Sequence, residues 1–194
     1  MQKWFWFFFL YSFFGFLLEW SYAKLRRGHP DRKCLLVLPL CPVYGLGACV
    51  SLFCAPLAGG NPLALFALGA LCCTAAEYVM AVWYERWIGV PFWNYAGRPG
   101  NLRGRVCLPF SLAWGGLVVT GYYALHPTVD RLAAGIPDRY TAAVGSVALF
   151  DALLSTVLLR RTRDRACLRW YDALSGALTE RRACPDPASA PEQA

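Results

Sequence analysis

Three acidic side chains lie inside apolar sequence: Glu19 in YSFFGFLLEWSY, Glu77 in LCCTAAEYVMAVWY and Asp151 in VGSVALFDALLSTVLL. An ionisable group in a membrane span costs about 2.5 to 3.5 kcal/mol on insertion scales, so each acid needs a partner or a task. A carboxylate in that setting can exchange protons, hold a cation, or accept from an arginine or a backbone N–H. Ser12, Gly15, Glu19 and Tyr22 recur at helical spacing and form one stripe among phenylalanines. Glu77, Met80, Ala81 and Tyr84 share a second face, with Glu85 just beyond, and Ala148, Asp151 and Ser155 share a third. Each of three helices thus turns one carboxylate toward the bundle interior. Glu19 and Glu77 fall at similar depth near a connection that carries Arg105. They are predicted to converge with Arg105 on one cytoplasm-facing polar cavity. The competing reading is that the acids only satisfy arginines or backbone groups and hold the bundle together.

Two further segments can shape such a site. Pro39, Pro42 and Gly45 interrupt an apolar run. Proline removes a backbone donor and frees the carbonyl four residues back, so the pattern predicts a broken helix lining protein or a cavity, or else a simple proline kink. The connection 85–105 holds Trp87, Phe92, Trp93 and Tyr95. Its aromatic content predicts a structured loop folded back against the membrane, to which Asn94, Asn101, Arg103 and Arg105 bring polarity. Trp87 suits an interfacial aromatic belt.

The elements that position these residues follow from composition. Of 194 residues, 57% are hydrophobic and 16% charged, and the mean hydropathy is +0.37. That excludes a soluble enzyme, a disordered chain and, with nine cysteines but no C-x-x-C, a disulfide scaffold. Apolar runs near 20 residues occur at 4–22, 35–57, 62–84, 106–125 and 141–159. The fold class is therefore all-α, a polytopic membrane bundle of five transmembrane helices within 1–159, its first span a retained anchor rather than a signal peptide. Sixteen of the 19 Lys and Arg residues fall on alternate sides of these spans. This places the N-terminus outside and the C-terminus in the cytoplasm of a cell-membrane, multi-pass protein. The same asymmetry reads the net charge of +7 as a topology signal and contact with anionic lipid, not as nucleic-acid binding. In 160–182, Cys167, Trp170, Tyr171, Leu174 and Leu178 predict an amphipathic interfacial helix, and 183–194 a disordered tail.

The sequence lacks G-x-x-x-x-G-K-[ST], H-E-x-x-H, G-x-S-x-G and G-x-G-x-x-G. His29 and His126 fall on opposite sides of the membrane, and the cysteines suit packing within spans. No metal site and no cofactor are expected.

Four blocks, YSFFGFLLEWSY, LPLCPVYGLGA, EYVMAVWYERW and FWNYAGRPGNLRGRVCLPFSLAWG, make the chain similar to the bacterial family of CmpB-like permeases classed as ABC-transporter type IV. The resemblance covers residues 11–125 and, more weakly, FDALLS at Asp151. It brings Tyr44, Glu85, Asn101 and Ser111 to the expected cavity beside Glu19, Glu77 and Arg105. Asn94 stands where the family tends to have aspartate.

The resemblance implies a small permease-like component, with the lipid bilayer around it and an ATPase on a separate chain or a homo-oligomer as partner. Two alternatives stay open. One is a membrane-embedded enzyme acting on lipid or isoprenoid head groups, with Glu19 and Glu77 as acid/base or metal-binding carboxylates and Arg105 as an anion clamp. The other is a non-catalytic assembly subunit.

Overall fold

The computed structural model describes residues 2–25 and 36–168. Apart from one isolated bridge, all regular structure among these residues is helical. Helix α1 spans Gln2–Leu25, α2 Pro42–Cys54, α3 Pro62–Trp83, α4 Leu108–Thr120, α5 His126–Gly135 and α6 Asp138–Thr162. A 3-10 turn extends α2 to Ala58, a π-helical turn extends α3 to Ile88, and a second π-helical turn joins α4 to α5. Five continuous helical rods result. Three are long and apolar enough to cross a membrane: Pro62–Ile88, Leu108–Gly135 and Asp138–Thr162. The outer faces of Pro62–Ile88 and Asp138–Thr162 carry Leu63, Leu71, Val79, Leu149, Phe150 and Leu153, each at least 59% exposed, as lipid-facing surface requires.

The fourth rod differs from the sequence reading, which placed a connection after residue 125. The π-helical turn Gly121–Leu125 widens the helix by one residue just before Pro127. That widening accommodates a proline, which lacks an N–H and crowds the carbonyl four residues back. The helix therefore runs on to Gly135, where Val129 and Ala133 bury against Trp6 and Phe7 of α1.

The second rod differs more. Residues 36–41 are not helical, and α2 begins at Pro42, with Cys41 as its N-cap. Pro42 thus initiates a helix instead of breaking one, and its missing N–H falls where no intrahelical partner exists. The expected broken helix at Pro39, Pro42 and Gly45 is therefore an irregular lead-in followed by a short helix. Its backbone donors are satisfied one by one, as buried peptide groups must be. Val37 and Leu38 N–H donate to Asp151 Oδ1 and Oδ2 at 3.1 and 3.0 Å. Leu40 N–H donates to the Leu38 carbonyl at 2.7 Å, and Cys41 N–H to the Ser12 carbonyl at 2.9 Å.

Glycines bring the rods together. A Cβ built at Gly15 would lie 2.2 Å from Tyr44 Cγ, and one at Gly45 would lie 2.4 Å from the Phe8 carbonyl oxygen. Across the α3–α4 contact, Gly69 faces Val118, and a Cβ at Gly115 would lie 2.8 Å from the Phe66 carbonyl oxygen. Such close backbone approach provides dispersion contact where lipid supplies no hydrophobic drive. At the bundle end bearing residues 89–107, Tyr84, Ile88, Phe92, Leu159 and Leu168 form a buried cluster. Arg165 Nη1 donates to the Phe92 carbonyl at 2.6 Å, fastening the end of α6 to this connection. Of the expected interfacial helix 160–182, residues 160–162 complete α6 and Arg165–Leu168 form a 3-10 turn. The remainder, and the tail 183–194, lie outside the described residues.

Candidate functional site

Glu77 points from α3 toward α4 and is 4% exposed. Its Oε1 accepts the Tyr95 hydroxyl at 2.8 Å, and its Oε2 accepts the Trp114 indole N–H at 3.0 Å. Glu19 accepts the Tyr44 hydroxyl at 2.8 Å. Tyr44, Tyr95 and Trp114 thus each orient one carboxyl oxygen. Burial, then the Glu77 carboxylate, holds the Tyr95 phenol well above its ordinary value of 10.0, and Tyr95 therefore stays a donor.

Glu19 and Glu77 line one cavity of about 180 Å³, bounded by α1, α2, α3, α4 and the connection 89–107. Tyr44, Trp93, Tyr95, Phe110 and Trp114 contribute aromatic walls. Tyr95 and Phe110 stack at 4.8 Å between centroids. Tyr44 and Trp114 meet at 4.7 Å. On their far side lies a second cavity of about 320 Å³, bordered by Phe14, Ala48, Leu52, Val118, Gly121 and Leu125. Tyr44, Trp114, Leu18 and Leu117 line both.

The connection that supplies Trp93 and Tyr95 is held by its own hydrogen bonds. Tyr95 N–H donates to the Gly104 carbonyl at 2.7 Å, and Leu102 and Val106 form the isolated bridge. Gly104 has φ +73°, and a Cβ there would lie 2.6 Å from Asn94 Oδ1, which only glycine accommodates without strain. Asn94 Oδ1 accepts Ala96 N–H at 2.9 Å, and Asn101 Oδ1 accepts Gly104 N–H at 2.7 Å. Both asparagines therefore organise turns, a task aspartate performs equally well.

The chain matches the family described as "Putative ABC-transporter type IV" over residues 6–158. The chain belongs to that family. No curated protein and no solved structure matches it. The match runs from the first turns of α1 almost to the end of α6, so every wall of both cavities lies within the family's domain.

The predicted site residues separate into two groups. Glu19, Glu77 and Tyr44 share the cavity. Arg105, Glu85, Asn101 and Ser111 are not among its lining residues. Arg105 is engaged elsewhere: Nε and Nη2 donate to Glu85 Oε2 at 3.0 and 2.6 Å, and Nη1 to the Tyr78 hydroxyl at 3.0 Å. Glu85, then Tyr78, raise the already high Arg105 value further, so this arginine stays charged and acts as a fork joining α3 to the start of α4. Ser111 donates to the Cys107 carbonyl at 3.1 Å within its own helix. No His, Cys, Asp and Glu group of metal-site type occurs among the described residues. The sequence reading missed Trp114 and Tyr95 as the donors to Glu77, although both lie in its family-like blocks. The signal was that a buried acid needs donors and that Tyr and Trp supply them from apolar faces.

Proposed function

We propose that the protein is a permease-like component of a membrane transport system, and that the cavity holding Glu19 and Glu77 is its substrate site. The observation that carries this reading is that two acids from different helices line one cavity in a chain of an ABC-transporter family. Five spans, with the N-terminus outside and the C-terminus cytoplasmic, agree with the Lys and Arg asymmetry. In that orientation the cavity lies toward the cytoplasmic ends of α1 and α3, and the connection 89–107 is its cytoplasmic cover. Any ATPase that energises the system resides on a separate chain.

Proteoliposomes presented with a panel of charged solutes on a solid-supported membrane test this reading. A solute-evoked current lost in Glu19→Gln and Glu77→Gln but kept in Glu85→Gln is the expected result. Currents unaltered by both cavity substitutions would overturn it.

A further inference from the structure

Among the described residues, the cavity of about 320 Å³ is not enclosed. Helix α1 packs on α2, α2 on α3 and α3 on α4, but α1 and α4 form no comparable contact. The fourth rod meets α1 further along, where Val129 and Ala133 bury against Trp6 and Phe7. Both nonetheless line the cavity. The residues of α2 and α3 at its back, Ala48, Ser51, Leu52 and Cys73, are buried or half-buried, whereas Leu18 of α1 and Leu117, Thr120 and Ala124 of the fourth rod are exposed. The mouth therefore lies between α1 and the fourth rod.

Its depth decides what the mouth meets. Gly121 lines the cavity and stands at the middle of the 28-residue rod Leu108–Gly135, so in a hydrocarbon core about 30 Å thick the mouth opens on acyl chains, not on water. Inside, polar atoms are engaged with protein partners. Tyr44 and Trp114 turn their tips to Glu19 and Glu77, the Tyr11 hydroxyl meets His126 Nδ1 at 3.1 Å, and Ser51 Oγ pairs with Cys73 Sγ at 3.3 Å. Such a cavity suits hydrocarbon, and a dry apolar cavity of about half this volume already holds benzene. We propose that this cleft binds one acyl chain of a bilayer phospholipid, which enters sideways between α1 and the fourth rod and ends against the Tyr44 and Trp114 rings. The proposal rests on the membrane location of the rods and is independent of the role of the acidic cavity.

Gly121 allows the cleft to be closed. It has φ −60°, and a Cβ built there meets nothing within 4 Å, so phenylalanine takes the chain's space without displacing a neighbour's backbone. Ala124, exposed at the mouth, offers a second position for the same purpose.

The test uses the full chain in phosphatidylcholine vesicles doped with phosphatidylcholine that carries a diazirine near the end of one acyl chain. After irradiation, adducts are located by peptide mass. They are expected at Ala48 and Leu52, at the back of the cleft, and at Leu149 and Phe150 on the exposed face of α6, which serve as the reference. Gly121→Phe and Ala124→Phe should each cut the adducts at the back of the cleft about tenfold against that reference, because a packed side chain leaves no room for a second occupant. Val147→Phe, on the exposed face of α6, should leave the ratio unchanged. Each variant is read after it elutes as the wild type does in size-exclusion chromatography. Labelled Leu149 and Phe150 without adducts at Ala48 and Leu52 would overturn the proposal in the wild type alone. A ratio that neither filled variant lowers, or that Val147→Phe lowers equally, would overturn it as well.

Discussion

The Trp114 indole N–H donates to Glu77 Oε2 at 3.0 Å in a buried setting, so a residue of α4 fixes the acid of α3. A hydrogen bond to a charged group contributes about 1.5 to 3 kcal/mol. Trp114→Phe should therefore lower stability by about that amount, plus the loss of some ring area. In a double-mutant cycle with Glu77→Gln, read by thermal unfolding in detergent, the two losses should be less than additive. Strict additivity would show that the bond contributes nothing.

Asp151 is expected to be structural. It accepts two backbone amides of the lead-in to α2 and the Ser155 hydroxyl at 3.3 Å. Each amide left without a partner costs about 1 to 3 kcal/mol. Asp151→Ala should thus sharply reduce the melting temperature, and Asp151→Asn, which keeps one acceptor oxygen, should fall between it and the wild type. Equal melting temperatures for all three would refute this assignment.

Glycine substitutions should divide by what their new Cβ meets. Gly45→Leu drives a side chain into the Ser12 hydroxyl and the Phe8 backbone, and backbone cannot yield cheaply. The expected outcome is failure to assemble, seen as aggregation in size-exclusion chromatography. Gly121→Ala meets open space and gains helix propensity of about 0.5 to 1 kcal/mol. It should be neutral or stabilising in the same measurement.

The Glu85–Arg105 pair should matter modestly. Its side chains are 34% and 20% exposed, and partly exposed pairs contribute about 0.2 to 1 kcal/mol. Arg105→Lys gives up the forked contact with Glu85 and Tyr78, so a small drop in melting temperature is expected. The solute-evoked current should not change. Loss of that current would place Arg105 in the site after all.

The helical class was legible in the sequence, because it follows from local periodicity. Apolar runs set the rods, and the stripes Ser12–Gly15–Glu19 and Glu77–Ala81 set which faces turn inward. Arg105 was misread because nearness in depth does not specify which acid an arginine meets. Glu85 lies at the same bundle end and captures it. Pro42 was misread for a related reason. A proline inside an apolar run resembles a helix break until one finds, far along the chain in Asp151, the acceptor that lets the preceding segment remain non-helical. Long-range satisfaction of backbone groups leaves no local trace. The continuation of α4 into α5 escaped notice likewise, since His126-Pro127 and Arg131 look like a connection unless a wide turn precedes the proline.

The central claim, a substrate cavity holding Glu19 and Glu77 that communicates with the cytoplasm, is tested most directly by accessibility at Ala113. This small residue lines the cavity and tolerates cysteine. A membrane-impermeant methanethiosulfonate cation is applied to each face of sealed vesicles carrying Ala113→Cys, and labelling is read by peptide mass at that residue. The account predicts labelling from the cytoplasmic face, slowed at least tenfold when Glu19 and Glu77 are both glutamine. Labelling of neither face, or of the outer face alone, would contradict it.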